Sequence, residues 1–240
     1  MLKIDLHIHT IASGHAFSTI LEYINQANKN KMKIIGITDH GPMNEDAIIS
    51  EVYFMCLYRI PKLINGVTVL KGIEANIDND GGIDISDSTR QRLDYVIAGL
   101  HPGGKFEDLG IKSNTAAMVK VIESGKINII SHPFIMSFFK TDIEVVAEQA
   151  CKNNVLLEVN AAWLTPEKIE KHPENFMGVG RMIEIVKKHK KKIIVGSDAH
   201  NIWELGDDSP LKNIKKQIGL TDNLIINNYP KELMKLLNIK

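Results

Sequence analysis

The sequence predicts an α/β fold in which parallel strands close into a barrel, with a metal site at the C-terminal ends of those strands. Three observations predict it. Seven short runs, rich in β-branched residues and nearly continuous in apolarity, alternate with amphipathic stretches. Continuous apolarity marks strands buried on both faces, as in parallel sheets, and strand–helix alternation builds right-handed βαβ units. Finally, a histidine, acid or other polar residue stands at or just past the end of every run. In a barrel such ends converge on one face, whereas in an open sheet they spread along a line, so the polar ends favour closure.

The strands are expected over 2–7, 33–38, 68–74, 93–100, 127–131, 155–160 and 192–197. Between them, Thr19 and Glu22 form a capping-box pattern that opens a helix over 20–30. An apolar stripe over 46–63 is too long for a loop and reads as a second helix. A third runs over 114–124 and stops at Gly125. Thr141 and Glu144 repeat the capping-box pattern before a helix over 142–153. The stretch 173–190 continues the alternation, with Gly178 and Gly180 weakening its first half, and two further helices over 210–219 and 230–237 close the chain. No low-complexity segment, repeat or Gly/Ser/Pro linker interrupts the pattern, so residues 1–240 are expected to form a single domain.

Composition narrows the function. Hydrophobic residues at 44% and charged residues at 24% describe an ordinary globular chain and exclude disordered and fibrous classes. Lysine and arginine total 29 and acids total 29, so no global basic field recruits nucleic acid or an acidic membrane. Two cysteines, Cys56 and Cys151, cannot build a disulfide framework and read as reduced core residues. The start, MLKIDLHIHT, has no apolar signal core, and no apolar run is long enough to span a bilayer. A soluble cytoplasmic protein without a membrane partner is the expectation; nothing in the sequence assigns an oligomeric state.

The nine histidines decide the chemistry. His7 and His9 end the first strand, His40 follows the second beside Asp39, and Glu74 ends the third. His101 and His132 follow the fourth and fifth strands, Asn160 ends the sixth, Asp198 and His200 follow the seventh, and His15 lies in the first loop. His7 and His9 sit at i and i+2 of one strand, so both imidazoles face the same way and can hold one ion. Asp39 and His40 point opposite ways; His40 is the expected ligand, and Asp39 is expected to orient a ligand imidazole by accepting its second N–H. Seven imidazoles with Glu74 and Asp198 exceed the needs of one four-coordinate ion, which points to two or three. Zinc, manganese and iron all suit these donors, with zinc the first expectation. Two carboxylates leave two or three divalent ions with surplus positive charge, and phosphate is an anion that bridges adjacent ions. A lone strand-end histidine is usually an ordinary surface residue; it is the joint arrangement that carries the reading.

His172 and His189 fall in a loop and a helix and read as ordinary surface residues. The run Lys187-Lys188-His189-Lys190-Lys191-Lys192 precedes the seventh strand, at the end opposite the site, and reads as a solvated helix end rather than a nucleic-acid patch. Trp163 and Trp203 follow the sixth and seventh strands, where they either wall the pocket or pack the core or surface.

Taken in order, Asp5-Leu6-His7-Ile8-His9-Thr10, Ile37-Thr38-Asp39-His40, Gly72-Ile73-Glu74, Leu100-His101-Pro102, Ser131-His132-Pro133 and Gly196-Ser197-Asp198-Ala199-His200 resemble the motifs of the polymerase-and-histidinol-phosphatase (PHP) superfamily, in its compact, stand-alone bacterial phosphatase branch. The resemblance implies a distorted (β/α)7 TIM-like barrel and a trinuclear metal centre. By motif position, His7, His9, Glu74 and Asp198 would hold one ion, Glu74 with His101 and His132 a second, and His15, His40 and His200 a third. It further implies a metal-dependent phosphoesterase acting on a small phosphorylated substrate. The expected reaction is phosphomonoester hydrolysis by a metal-bridging hydroxide, with Glu74, Asp198 and His200 as the catalytic set. No fixed substrate-binding arginine matches, and Arg181 is the candidate phosphate contact. The competing readings are a nuclease or phosphodiesterase acting on nucleic-acid ends, disfavoured by the zero net charge, an amidohydrolase-type metal hydrolase, and a metal-binding module without activity.

Overall fold

The structure, a computed structural model, describes residues 1–239. The first parallel unit is β1 (Ile4–Ile8), α1 (Ile20–Lys29) and β2 (Ile34–Ile37). The short helix α2 (Glu51–Cys56) and the two-residue strand β3 (Leu63–Ile64) lead into β4 (Val67–Lys71) and β5 (Glu74–Asn76). Next come α3 (Asp87–Arg90), β6 (Ile97–Gly99), α4 (Ile111–Glu123), β7 (Ile129–Ile130), α5 (Ile143–Asn153) and β8 (Leu156–Asn160). The chain ends with α6 (Pro166–Lys171), α7 (Pro173–Lys188), β9 (Ile194–Gly196) and α8 (Pro230–Leu236). Among the described residues no helix is long and apolar enough to cross a membrane.

The strands form two sheets, β1-β2-β4-β3 and β5-β6-β7-β8-β9, parallel throughout except for β3 against β4. The single run expected over 68–74 is two strands because the chain breaks register at Gly72 and Ile73. Gly72 N still donates to Ile37 O, and Ile73 O accepts from Ile97 N, so the break hands the strand from one sheet to the other. Two bridges join the sheets at the same end, His40 with Glu74 and Ile8 with Ala199.

Burial explains why the runs are apolar on both faces. Ile4, Leu6, Ile34, Leu70, Tyr95, Ile97, Ile129, Leu156 and Ile194 form one cluster, closed from below by Ile226, Leu233 and Leu237. The other strand faces pack under the helices, for example Val69 with Tyr23 and Ile24 of α1, and Val159 with Val179 and Met182 of α7. Tyr95 reaches across the inner cluster to donate to Leu6 O at 2.7 Å, and only a glycine at position 36 leaves room for its hydroxyl.

The seam between β1 and β9 has no ladder of its own; apart from the bridge at Ile8 and Ala199, where His9 N donates to Ala199 O at 2.8 Å, it is held by side chains. Asn227 donates to Ile4 O and Val195 O, at 3.0 and 2.8 Å, and accepts from Val195 N at 2.9 Å. Above it the fully buried Asp5 accepts from the Ser197 hydroxyl, from Gly206 N and, at 3.3 Å each, from His7 N and Ser197 N. Burial pushes the Asp5 carboxyl up to about 6 against these four donors.

Several expected helices are corrected. The 46–63 helix shrinks to α2 plus one 3-10 turn, because Asn44 turns the chain beforehand by accepting from Asp46 N with its side chain and from Ala47 N with its backbone. Asp142, not Thr141, caps α5, accepting from Glu144 N and Val145 N at 3.1 and 3.2 Å. The 210–219 stretch opens as a 3-10 turn and mixes i−3 with i−4 bonds, so no continuous α-helix forms there. The capping box at Thr19 and Glu22 is present as expected.

Replacing Asp5 by Ala would leave four buried donors unpaired, and should lower unfolding stability by roughly 2–4 kcal/mol. Urea denaturation of the two proteins checks this. An unchanged midpoint would show that the seam does not depend on Asp5.

Candidate metal centre

Seven histidines and two acids come together where the strands end. Glu74, first residue of β5, lies at the middle with its side chain only 1% exposed. Its Oε1 is 3.2 Å from His7 Nε2, 3.0 Å from His101 Nε2 and 2.9 Å from His132 Nε2. Its Oε2 is 3.3 Å from His9 Nε2 and 3.1 Å from His40 Nδ1. Asp198 Oδ1 approaches His7 Nε2 and His9 Nε2 at 3.4 and 3.1 Å. His200 and His15 meet at the outer edge, Nε2 to Nε2, at 3.0 Å. His132 and Asp198 are aimed inward by left-handed backbone, φ 46° and 56°, a conformation that non-glycine residues adopt at a cost.

Four of the seven rings are held from behind. Glu158 Oε1 accepts from His7 Nδ1 at 2.7 Å, and Asn76 Oδ1 accepts from His101 Nδ1 at 2.9 Å. Asp198 O accepts from His200 Nδ1 at 2.8 Å. Ser13 Oγ accepts from His9 Nδ1 at 3.0 Å and donates to Asp39 Oδ1 at 2.8 Å. With Nδ1 donating to these partners, each of the four rings turns its Nε2 to the centre. Asp39 therefore acts one step further back than expected: it grips Thr10, Ser13 and the Tyr53 hydroxyl, and reaches a ligand imidazole only through Ser13.

Charge follows from this packing. Burial alone would lower the His7 imidazole, but Glu158, Glu74 and Asp198 outweigh it and hold it well above its ordinary value. His9 rises to about 9, against its burial, through hydrogen bonds to Asp198 and Glu74. His40, buried beside His9 and His101, falls to about 3. Glu74 and Asp198 lie well below the carboxylate range, because the surrounding imidazoles overcome burial. Protons are thus held between imidazoles and carboxylates, which is where a cation would displace them.

The donor set fits metal ions. His40 Nδ1, Glu74 Oε2 and His101 Nε2 are buried without a hydrogen-bond partner, although His40 Nδ1 and Glu74 Oε2 lie 3.1 Å apart. Proximity without hydrogen-bond geometry is what lone pairs converging on a common point produce. Three groups have donors mutually within 4.8 Å: His7, His9 and Asp198; His40, Glu74 and His101; and His9, His40 and His200. Imidazole and carboxylate donors of this kind suit zinc, manganese and iron.

The centre opens into a cavity of about 240 Å³ lined by His15, His40, Glu74, His101, His132, Asp198 and His200, with Asn44 and Asp46 on one side and Phe138 and Trp163 on another. Trp163 therefore walls the pocket, whereas Trp203 is 82% exposed and does not line it. Arg181 is not brought to the site. It lies on the outer face of α7, bonded to Glu144 at 2.7 Å and Glu184 at 2.9 Å. His172 and His189 pair with Glu174 and Glu148 outside the centre. Lys187, Lys190, Lys191 and Lys192 border a separate cavity with Leu156 and Leu157, at the start of β8 and away from the centre.

Glu158 escaped the sequence reading. It was legible as the one charge inside the otherwise apolar run Val155-Leu156-Leu157-Glu158-Val159, an expensive residue to bury without a partner. Gly196 opposite makes its place, since a Cβ there would collide with Glu158 Oε1.

The family model of the PHP domain matches residues 5–234. The chain is 37% identical over 243 residues to a Clostridium botulinum (strain Hall) protein named "Probable phosphatase", covering 99% of this chain and 95% of the relative. A protein of the same name from the Okra strain is 36% identical over the same shares. Among solved structures, histidinol phosphate phosphatase from Lactococcus lactis, complexed with zinc, L-histidinol and phosphate, aligns with a TM-score of 0.61 at 14% identity, over 91% of this chain and 94% of that one. At that identity the likeness is one of fold.

Glu158→Gln keeps the shape of the side chain behind His7 and removes its charge. It should weaken metal binding about 10- to 100-fold with the fold intact. Competition with a chromophoric chelator measures this; wild-type affinity in the variant would show that the His7 contact does not tune the ligand.

Proposed function

The chain belongs to the PHP domain family, and from that membership we propose that it is a metal-dependent phosphatase whose substrate is a small phosphomonoester. The observation that carries the proposal is the cluster of seven imidazoles around Glu74 and Asp198, with buried donors left unsatisfied by the protein itself. The names of the curated relatives and the zinc and phosphate held by the Lactococcus enzyme support it. We place the described residues, 1–239, in one domain, a distorted seven-stranded barrel. Support comes from the Ile8–Ala199 and His40–Glu74 bridges between the sheets and from the shared inner cluster to which β1, β2, β4, β6, β7, β8 and β9 contribute.

In this reading His7, His9, Glu74 and Asp198 hold one ion, Glu74 with His101 and His132 a second, and His15, His40 and His200 a third, with zinc first and manganese or iron as alternatives. His9 and His40 stand close enough to the neighbouring groups to be shared. Divalent ions there would neutralise phosphoryl oxygens and acidify water for in-line attack. The chain's own residues supply the rest. Glu74 would be shared by the two deeper positions, its Oε1 facing His101 and His132 and its Oε2 facing His9. Glu158, Asn76 and Ser13 fix the rings of His7, His101 and His9, so their Nε2 atoms need no reorganisation. His200, half-buried at the edge, has Nδ1 held by Asp198 O, which leaves Nε2 for the outer position beside His15.

Charge favours an anionic substrate. Glu74 and Asp198 lie among the rings, Glu158 stands behind His7, and Asp46 is 3.4 Å from His15 Nδ1 at the mouth. Two or three divalent ions would leave positive charge over Glu74 and Asp198, which a phosphate group can meet.

Elemental analysis of protein purified without chelator should show two to three divalent ions per chain, together with turnover of p-nitrophenyl phosphate. Dialysis against EDTA should abolish turnover and zinc or manganese should restore it. Glu74→Gln should cut turnover on the order of a thousandfold while the fold survives. A folded, metal-loaded Glu74→Gln protein with near-normal turnover would refute the bridging role. Absence of both metal and phosphatase activity would refute the function.

A further inference from the structure

The ligand set leaves open which side chain meets the substrate's phosphate from the protein side. None of the four arginines lines the cavity: Arg59 lies over Tyr58, Arg90 pairs with Asp87, Arg92 follows α3, and Arg181 is bonded on α7. One cation rests on a residue of the cavity wall. Lys168 of α6 places Nζ 4.0 Å from the ring centroid of Trp163, and Trp163 lines the cavity together with His132, Asp198 and His200. Phe138 closes the same wall edge-on, with ring centroids 5.2 Å apart.

We propose that Lys168 is the phosphate-binding cation of the site, held ready on the face of Trp163 and delivered to the phosphate of a monoester when substrate enters; this rests on the phosphatase reading above. Four features of the chain fit that role. Lys168 is half-buried, and among the described residues its ammonium makes no ion pair. Burial lowers its pKa while Asp198, Glu204 and Glu167 act in the opposite direction, so the ammonium lies within the electrostatic reach of the metal-site carboxylate. The Thr165 hydroxyl caps α6 by accepting from Lys168 N at 3.3 Å, which fixes the backbone while leaving the four-carbon stem free to swing. A cation–π contact is a weak resting place, and a charge-assisted hydrogen bond to phosphate is a stronger one, so transfer from ring to ligand is downhill.

A purely structural lysine, bracing Trp163, would not respond to phosphate. The protein has two tryptophans, and Trp203 is exposed outside the cavity, so Trp203→Phe leaves Trp163 as the only reporter. In that metal-loaded background, inorganic phosphate should give a saturable change in tryptophan fluorescence as the ammonium leaves the ring. Lys168→Met should weaken that response, and raise the KM for p-nitrophenyl phosphate, by about tenfold or more, with kcat within about twofold and metal content unchanged. Lys168→Arg should restore most of both. The KM for bis(p-nitrophenyl) phosphate, which carries one charge fewer, should change less. A Lys168→Met protein with the parent's KM and phosphate response overturns this inference alone. A parent that holds metal yet neither turns over monoesters nor responds to phosphate overturns it together with the phosphatase reading.

Discussion

A carboxylate removed from water is tolerated only when its charge is met, and Glu74 is such a carboxylate with five imidazole nitrogens within 3.3 Å. Those imidazoles come from the ends of β1, β2, β6 and β7, so satisfying one side chain fixes the relative positions of four strands. The backbone at Glu74 is pinned in the same place, donating to Asp39 O at 3.1 Å and accepting from Gly41 N at 2.8 Å. The register break at Gly72 and Ile73 then has a function. It sets Glu74 at the head of a new strand, between the sheet that carries His7, His9 and His40 and the sheet that leads to His101 and His132.

Holding five rings around one acid raises a second problem, since imidazoles that merely surround a charge have no fixed direction. For three of them the answer is a layer of acceptors behind the ring, each from a different element: Glu158 on β8 for His7, Asn76 on β5 for His101 and Ser13 in the first loop for His9, and the backbone of Asp198 does the same for His200. Asp39 stabilises the loop member of this layer and ties it to Tyr53, so α2 is connected to the centre although it contributes no ligand. The conformational cost appears at His132 and Asp198, whose left-handed backbone is paid for by the contacts it creates.

The strands and the clustered donors were legible because both follow simple rules. Buried parallel strands must be apolar on both faces, and polar donors at strand ends recur with the strand–helix period, so the residues the structure brings together, His7, His9, His40, Glu74, His101, His132, Asp198 and His200, stood out without any coordinates. What depends on which atoms meet in space was not legible. The Glu158 contact joins residues 151 positions apart, and the placement of Arg181 turned on which face of α7 it occupied. Asp39 was read as a direct partner because adjacency in sequence does not reveal an intervening Ser13 hydroxyl. Helix ends failed where a local side chain competed with the helix: Asn44 turned the chain before α2, and Asp142 took the cap that Thr141 could equally have supplied.

Burial across the centre is graded, and the grading makes chemical sense. His7, His9 and Glu74 are sealed from solvent to within 1%, while the side chain of His15 is 40% exposed and that of His200 25%. The deep residues lie where opposite charges must be held permanently and where a low dielectric strengthens their attraction. The outer pair lies where an anion has to arrive and its product leave, and there the walls change character, with Asn44 and Asp46 facing Phe138 and Trp163. A rigid, dry floor that fixes ligands and a solvated mouth that admits substrate are opposing demands on one small cavity. The strand ends meet the first demand, and the loops that follow them are left to meet the second.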